Sequence, residues 1–279
     1  MMTTIALTIA GSDSAGGAGI QADLRTFAAL GVHGASAITA LTAQNTLGVE
    51  AVHTAPPEFV LAEMRAIASD LDVGAIKTGM LGNLGIVEAV VEGLSLFPCV
   101  PLVVDPVMVS QSGHPLLTDE AIDAIRTKLM PLAVLVTPNL LEAARLLDKP
   151  VARDETEMAL QAERLRARGA RAALVKGGHA TGALAVDILA DAEGTMRLEA
   201  PRTKTQNTHG TGCTLSAATA AELAKGAPLR EALAKAKAYV TAAIAAADEL
   251  KIGKGRGPVH HFHAVWPRSD RQRERGTSD

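Results

Sequence analysis

The sequence predicts a layered α/β fold with a mostly parallel sheet. Short apolar runs alternate along the chain with longer Ala- and Leu-rich amphipathic segments, which is the order that β–α–β crossovers produce. Several short runs, such as PLVVD and AVLVT, are apolar throughout. Such runs suit strands that a parallel sheet buries on both faces. No internal repeat or low-complexity linker interrupts the pattern, so we expect one domain over residues 1–267.

The apolar runs and the segments between them define the predicted elements in chain order. The strands are Ile5–Ala10, Ala35–Leu41, Ala75–Lys77, Leu102–Asp105, Val134–Thr137, Ala173–Lys176 and Leu184–Leu189. The helices cover about 19–30, 57–70, 83–95, 118–130, 139–147, 155–168, 211–225 and 229–250. The charged segment 268–279 has almost nothing to bury, and we expect it to be disordered.

Composition narrows the class of protein. The 279 residues are 48% hydrophobic and 20% charged, enough for one large domain with a buried core. The formal net charge of −3 argues against a nucleic-acid partner, since surfaces that bind a phosphate backbone are usually basic.

Targeting signals and cysteines point to the cytoplasm. The N-terminus lacks the basic segment and cleavage site of a secretory leader. The longest apolar run, near Tyr239–Ala247, is too short to span a bilayer. Two cysteines imply no disulfide framework. Because free thiols suit a reducing compartment, we expect a cytoplasmic protein without a membrane partner.

Polar and glycine residues follow most of the predicted strands. In open parallel sheets, ligands bind beyond the carboxyl ends of the strands, so these residues are expected to gather at one edge. They are Gly11-Ser12-Asp13, Gln44-Asn45, Thr78-Gly79-Met80, Asp105-Pro106, Pro138-Asn139 and Lys176-Gly177-Gly178.

The stretch AGSDSAGGAGIQAD, residues 10–23, is a glycine-rich turn between a strand and a helix. It is not a P-loop, because Gly17-Ala18 stand where Lys-Ser/Thr is required. It is not a dinucleotide fingerprint, because Ala22 replaces the third glycine. Two interpretations stay open: a tight connection, or a turn whose glycines let a ligand approach the backbone. Asp23 lies early in the helix, where the dipole favours a carboxylate in any case.

The stretch HGTGCTLS, residues 209–216, predicts an anion site. Gly210 and Gly212 leave backbone amides free at a helix start, where the dipole favours negative charge. Cys213 lies at this helix mouth, and we expect the dipole to lower the pKa of its thiol from about 8.5. The alternative is a structural turn with a small buried cysteine, and we assign Cys99 to that class.

Three further positions fit phosphoryl transfer. Asp105, at a strand end, could hold Mg²⁺ directly or through water. Asn139 and Glu142 lie three apart on one face of a helix start, which also fits a capping box, and both interpretations can hold. Lys176 follows an apolar strand, where an unpaired lysine is rare. A position near ATP phosphates would explain it.

His260, His261 and His263 could suggest a metal site. No cysteine and no closely spaced carboxylate accompanies them, and zinc sites usually require such partners. We therefore expect these histidines to pack or hydrogen-bond near the C-terminal end of the core.

Together these motifs resemble the hydroxymethylpyrimidine/phosphomethylpyrimidine kinase family of thiamine biosynthesis, within the ribokinase-like superfamily. The resemblance covers residues 3–265 and implies a three-layer α/β/α sandwich. It also implies two successive transfers from ATP, first to the alcohol of 4-amino-5-hydroxymethyl-2-methylpyrimidine and then to its monophosphate. The matching stretches are TIAGSDSAGGAGIQADLRTF, ITALTAQNTLGV, IKTGML, VVDPVM, TPNLLEA, VKGGH, NTHGTGCTLS and GKGRGPVHHFHA.

The resemblance also implies roles for individual residues. Gln44 should hydrogen-bond the aminopyrimidine, and the rest of its pocket should be formed by Met80, Val107, Gly11, Ala18 and Asp23. The anion hole should consist of Gly210, Thr211, Gly212 and Cys213. Asp105 and Glu142 should belong to the Mg²⁺ network with Asn139 in support, while Lys176 and Thr208 should meet ATP. A homodimer is the family expectation. Gln111 departs from the Lys of many relatives, which leaves the role of its loop in doubt.

Cys213 stands where many ribokinase-like sugar kinases carry an aspartate base. A fixed carboxylate would repel the phosphate acceptor of the second transfer, whereas an uncharged thiol or a thiolate would suit a site that takes both acceptors. This hypothesis predicts that Cys213→Ala damages the alcohol step more than the phosphate step. Two other functions stay open: pyridoxal kinase, and a non-catalytic pyrimidine-binding protein on the same fold.

Overall fold

A computed structural model describes residues 3–110, 113, 115–178 and 182–266. Its strands are β1 Ile5–Ala10, β2 His33–Ile38, β3 Ala40–Asn45, β4 Gly48–Thr54, β5 Ala75–Thr78, β6 Leu102–Val104, β7 Leu135–Val136, β8 Ala173–Lys176, β9 Leu184–Asp191 and β10 Gly194–Pro201. Eight of them form one sheet in the order β10-β9-β8-β7-β6-β5-β1-β2, and β3 pairs with β4 in a separate hairpin. Strands β1, β2, β5, β6, β7 and β8 are parallel, while β9 and β10 are antiparallel to their neighbours.

Helices cover both faces of the sheet, which confirms the predicted α/β class with a mostly parallel sheet. The helices are α1 Gly19–Ala29, α2 Pro57–Ala68, α3 Leu84–Leu94, α4 Asp119–Ala124, α5 Leu140–Leu147, α6 Glu155–Ala167, α7 Thr211–Ala224 and α8 Leu229–Ala245. Helices α2 to α6 enclose one apolar core with the sheet, and α1, α7 and α8 enclose a second core on the opposite face.

Local sequence accounts for most helix boundaries. The Asn83, Thr118 and Asp154 side chains accept an amide hydrogen bond at the starts of α3, α4 and α6, as N-cap residues do. The predicted helix 118–130 is α-helical only to Ala124. It continues as a π turn and then a 3₁₀ turn around Pro131, which has no amide hydrogen for the regular ladder.

One predicted strand is wrong. The run Ala35–Leu41 divides between β2 and β3, because Thr39 leaves the sheet. The buried Thr39 hydroxyl donates to the carbonyl oxygen of Met80 at 2.6 Å. The chain then enters the β3–β4 hairpin, so Gln44 lies on a hairpin strand and not at the end of a sheet strand.

Strands β4 and β10 were not predicted. Most side chains of β4 are exposed. In β10, exposed side chains alternate with buried or partly buried ones. Neither strand therefore carries the continuous apolar run used to identify the others. Cys99, expected to be a small buried cysteine, is exposed in a left-handed conformation (φ 64°) before β6.

The two cores share one sheet whose strands come from residues 5 to 201. A single domain over residues 1–267 stays a prediction, and the predicted disordered segment 268–279 lies outside the described residues. Within the described part of the chain, no helix has the length and apolarity needed to cross a bilayer.

Candidate active site

The start of α7 is built as an open anion site. Gly210 precedes the helix in a left-handed conformation (φ 78°), and no side chain caps the helix. A Cβ at Gly210 would collide with the carbonyl oxygen of Gly17. The Thr211 hydroxyl donates to the Thr208 carbonyl at 2.8 Å. Among the described residues, the amides of Gly212 and Cys213 have no hydrogen-bond partner, so they are available for an anion.

The glycine-rich turn before α1 is organised by Asp13. Its carboxylate accepts hydrogen bonds from the amides of Ala15, Gly17 and Ala18 at 2.8–2.9 Å. It also lies 2.9 Å from Nε2 of His209. Because Asp13 occupies these amides, they are not available to a ligand, and the tight-connection interpretation of the turn is supported. Burial alone would raise the pKa of the Asp13 carboxyl. The contact with His209 and the hydrogen bonds from the amides outweigh burial and lower this pKa below its usual value.

A buried ion pair lies beneath the anion site. Nζ of Lys77 is 2.8 Å from Oδ2 of Asp23, and neither side chain has exposed surface. Oδ2 of Asp23 also accepts from the Thr8 hydroxyl at 2.6 Å. Asp23 was expected to complete the substrate pocket, but the structure places its carboxylate under the sheet edge, paired with Lys77. Asp23 has no exposed surface in this arrangement, and its role in the substrate pocket stays a prediction.

A second ion pair lies beside the anion site. Nζ of Lys176 is 2.8 Å from Oδ1 of Asp105, and the lysine keeps 12% of its side chain exposed. A Cβ at Gly212 would lie 3.1 Å from this ammonium group. Lys176 is therefore not an unpaired buried lysine, yet its charge lies next to the open amides of the anion site.

Asn139 and Glu142 form a capping box, which confirms that interpretation. The Asn139 side chain accepts from the Glu142 amide at 3.0 Å, and Oε2 of Glu142 accepts from the Asn139 amide at 2.8 Å. Glu142 also lies close enough to Lys176 and Asp105 for their charges to affect its pKa. The box therefore fixes a buried carboxylate beside the Lys176–Asp105 pair.

Glu142 gives a testable dependence of stability on pH. Burial raises the pKa of its carboxyl from 4.5 to about 7, with Lys176 opposing the rise and Asp105 adding to it. Protonated Glu142 is thus favoured in the folded state, and its contribution to stability is lost as the pH rises from about 4.5 through about 7. We expect Glu142→Gln, which keeps the capping box, to gain stability relative to wild type over this range.

Urea denaturation near pH 5 and near pH 8, without Mg²⁺ or nucleotide, measures this effect. The comparison between the two proteins removes the contribution of the other carboxylates. A difference in unfolding free energy that is the same at both pH values would contradict the prediction.

Cys213 does not have the lowered pKa predicted from its helix. Burial raises the pKa of its thiol to about 11; Lys77 opposes the rise, and the carboxylates of Asp105 and Asp23 add to it. The prediction considered only the helix dipole. In the folded protein the helix dipole lowers the pKa of the thiol, while desolvation and the negative charges of Asp105 and Asp23 raise it. The factors that raise the pKa are stronger. Cys213 is therefore a neutral thiol near pH 7.

The expected substrate residues lie around the same sheet edge. Gln44, Ala18 and Val107 are each partly exposed. Met80 is buried and packs over Gly11, where a Cβ would collide with the Met80 side chain. Cys213 interacts electrostatically with both ion pairs, and His209 connects the anion turn to Gln44 at 3.3 Å.

A cleft of about 390 Å³ opens beside Gln44 and His209, between the hairpin turn at 45–48 and the segment at Gly255-Arg256. Met80, Gly11 and Val107 do not line this cleft. Gln111 lies outside the described residues, so the role of its loop stays open.

The three C-terminal histidines behave as expected. His260 and His261 are buried, and Nε2 of His261 lies 3.1 Å from the Thr214 hydroxyl on α7. Burial lowers the pKa of His261 to about 3. No group of three or more potential metal-binding His, Cys, Asp or Glu side chains occurs among the described residues.

Asp13, Lys77 and His209 belong to this site but were not singled out from the sequence. Lys77 carried a usable signal, because a lysine inside the short run AIKT must be buried with a partner if the strand is central. Asp13 was noted only as a strand-end residue. Nothing in the sequence around His209 indicates its role, because its partner Asp13 lies 196 positions away in the chain.

Known proteins match both the sequence and the fold. The phosphomethylpyrimidine kinase family model matches residues 13–260. A hydroxymethylpyrimidine/phosphomethylpyrimidine kinase of Rhizobium meliloti (strain 1021) is 58% identical over 265 residues, covering 95% of this chain and 99% of that protein.

Two solved structures share the architecture. Phosphomethylpyrimidine kinase from Clostridium difficile 630 matches with a TM-score of 0.77 and 40% identity, over 87% of this chain and 100% of that one. The ADP complex of Bacillus subtilis pyridoxal kinase matches with a TM-score of 0.86 and 37% identity, over 94% and 99% of the two chains. The expected three-layer fold is thereby confirmed. By sequence and by fold, the chain belongs to the phosphomethylpyrimidine kinase family.

Proposed function

We propose that this enzyme transfers phosphoryl groups from ATP in two successive reactions. The first acceptor is the alcohol of 4-amino-5-hydroxymethyl-2-methylpyrimidine, and the second is the resulting monophosphate, which becomes the diphosphate. The similarity to the Rhizobium meliloti kinase over nearly both full lengths supports this choice of substrate.

The observation that carries the proposal is the uncapped start of α7. The open amides of Gly212 and Cys213 lie beside the Lys176 ammonium group. A transferring phosphoryl group needs fixed donors aimed at its oxygens, because negative charge redistributes on them in the transition state. These amides and Lys176 would supply such donors without reorganisation. We assign further ATP contacts to Thr208 and Asn139.

The acceptor side of the site has the chemistry for an aminopyrimidine. Gln44 offers both a donor and an acceptor, and Met80 and Val107 offer apolar surface for a flat ring. The whole chain has one Trp, one Tyr and four Phe, so few aromatic side chains are available to stack on the ring. We therefore assign ring packing to these aliphatic and thioether side chains, with Gly11 and Ala18 completing the pocket.

The residues present fit Mg²⁺, the metal expected with ATP. Oδ2 of Asp105 is buried and has no hydrogen-bond partner among the described residues, and Glu142 supplies a second carboxylate. Mg²⁺ commonly uses one or two carboxylates together with waters and substrate phosphates, so the absence of a larger cluster is compatible with it. When bound, the ion would neutralise phosphate charge; Asp105 and Glu142 would hold it, and Asn139 would orient Glu142.

The assembly and location of the enzyme are also proposals. Leu41, Leu47 and Val52 of the β3–β4 hairpin are exposed, and a homodimer would cover such apolar side chains. A cytoplasmic location fits two free thiols. Sedimentation equilibrium of the purified protein tests the dimer directly.

A time course with the pyrimidine alcohol, ATP and Mg²⁺, followed by ³¹P NMR, tests the function. We expect the monophosphate to appear first and then to give way to the diphosphate, with ATP consumed only when the pyrimidine is present. A parallel reaction with pyridoxal tests the second candidate, which the similarity to Bacillus subtilis pyridoxal kinase favours. Phosphorylation of pyridoxal alone would contradict the proposal.

A further inference from the structure

Asp13, His209 and Gln44 form a contact chain that leads from the glycine-rich turn to the cleft beside Gln44 and His209. Nε2 of His209 lies 2.9 Å from Oδ2 of Asp13 and 3.3 Å from the end of the Gln44 amide labelled Nε2. Asp13 and His209 are almost fully buried, at 2% and 8% exposure. The cleft is lined by both Gln44 and His209, so the chain ends where a ligand would bind.

The protonation of His209 follows from Asp13. Three backbone amides already donate to the Asp13 carboxylate, which therefore acts only as an acceptor. An imidazole nitrogen 2.9 Å from such a carboxylate must carry a hydrogen, since two acceptors at this distance would repel each other. Nε2 of His209 is thus an N–H donor whose single hydrogen is directed mainly to Asp13. Because that nitrogen has no free lone pair in the ring plane, it cannot accept a hydrogen bond from Gln44.

The orientation of Gln44 follows from His209. The two ends of a side-chain amide have nearly the same shape, so their partners decide which end is oxygen. Because Nε2 of His209 cannot accept, an NH₂ group facing it would be repelled by its N–H, so the amide end that faces it must be the oxygen. With the oxygen at this end, the 3.3 Å contact is the longer branch of an N–H hydrogen bond that His209 shares between Asp13 and Gln44.

Thr42 leads independently to the same orientation. Its hydroxyl has one hydrogen, and a carbonyl oxygen, that of Ser12, accepts it at 2.9 Å. Toward the other end of the Gln44 amide, 3.3 Å away, Thr42 can then only accept. That end must be the NH₂ group, so His209 and Thr42 together hold the amide in one orientation.

We propose that Asp13 and His209 are positioning residues that select 4-aminopyrimidines by fixing the amide of Gln44; this rests on the proposed function. A 4-aminopyrimidine edge presents a ring-nitrogen acceptor beside an amino donor. A 4-oxopyrimidine edge presents the reverse, an N–H donor beside a carbonyl acceptor. If the Gln44 amide is held in one orientation, its oxygen can accept from the amino group of a 4-aminopyrimidine and its NH₂ can donate to the ring nitrogen. The same orientation would set donor against donor and acceptor against acceptor on a 4-oxopyrimidine.

The backbone of His209 is anchored independently of its ring. Its amide donates to the Gly257 carbonyl at 3.1 Å, and its carbonyl accepts from the Val259 amide at 3.2 Å. Replacing the imidazole therefore leaves this strand bridge in place. His209→Leu removes the N–H donor, whereas His209→Gln returns an N–H group to about the same position.

Steady-state kinetics with the 4-amino substrate and its 4-oxo analogue test selection. We expect the ratio of their kcat/KM values to fall by about 10- to 100-fold in His209→Leu, mainly through KM, and to be largely restored in His209→Gln. The exposed His33→Leu change serves as the control and should keep the wild-type ratio. Equal losses on both substrates, or no rescue by Gln, would show that His209 has only a structural role and would overturn the proposal.

NMR of the ligand-free protein tests the underlying geometry without any assumption about activity. Long-range ¹⁵N–¹H correlations of ¹⁵N-histidine protein, with His209→Leu assigning the resonance, report which imidazole nitrogen carries hydrogen. We expect a protonated Nε2 in wild type. An unprotonated Nε2 would overturn the proposal even if the enzyme phosphorylates the pyrimidine. A protonated Nε2 in a protein without pyrimidine kinase activity would instead locate the failure in the proposed function.

Discussion

We expect Lys77→Met to lower the free energy of unfolding by about 3–5 kcal/mol, since breaking a buried ion pair leaves an uncompensated charge. Lys77 is paired with Asp23 at 2.8 Å and neither has exposed surface. The carboxylate left behind would keep only the Thr8 hydroxyl, and its Oδ1 already lacks a partner among the described residues. Urea denaturation at pH 7 measures the loss.

The penalty should depend on pH in a defined direction. Burial already raises the pKa of Asp23 although Lys77 opposes the rise. Without Lys77 the pKa of Asp23 rises further, so protonation removes the buried charge more easily at low pH. The destabilisation relative to wild type should therefore shrink as the pH falls and grow as it rises.

Two further variants distinguish the buried charge from lost packing. Lys77→Met combined with Asp23→Asn leaves no charge at the position of this pair, and we expect it to recover much of the stability. Lys128→Met breaks an ion pair with Glu88 in which both side chains are about half exposed. That change should cost only about 0–1 kcal/mol. A double variant as unstable as Lys77→Met would show that packing, and not charge, causes the loss.

The parts of the fold that local sequence specifies were predicted closely. The bounds of β1 and β8 agree with the predicted runs, because a short run buried on both faces has few alternative structures. Asp105, Asn139 and Lys176 are predicted at one edge because each lies at or just after the end of a parallel strand, and parallel strands end at the same edge. The β3–β4 hairpin was missed because its side chains are mostly exposed or partly exposed, so no apolar pattern marks it.

The pairings within the site could not be predicted, since they join residues far apart in the chain. Lys77 and Asp23 are 54 positions apart, and Asp13 and His209 are 196 apart. The pKa of Cys213 was mispredicted for a related reason. A helix dipole can be inferred from the local sequence, whereas burial and the charges of Asp105 and Asp23 require the assembled fold.

The neutral thiol of Cys213 leads to the prediction with the largest effect on activity, which rests on the proposed two-step reaction. We expect Cys213→Asp to slow the second transfer by roughly 100- to 1000-fold while affecting the first far less. A carboxylate at the helix mouth would face an acceptor that already carries phosphate charge, and close like charges repel by several kcal/mol at a partly buried site. Toward the alcohol acceptor, the same carboxylate could act as a general base.

Single-turnover measurements with each acceptor separately give the two rates. Cys213→Ser, neutral and similar in size, is the matched control and should keep the wild-type ratio of the two rates.

Cys213→Ala distinguishes two roles of the thiol. If the thiol takes part in proton transfer, as the hypothesis from the sequence requires, the loss should be larger in the alcohol step. Its pKa of about 11 leaves little thiolate near pH 7, so equal losses would indicate that Cys213 serves only as uncharged lining. If Cys213→Asp slows both transfers equally, charge repulsion is not the reason that a thiol occupies this position.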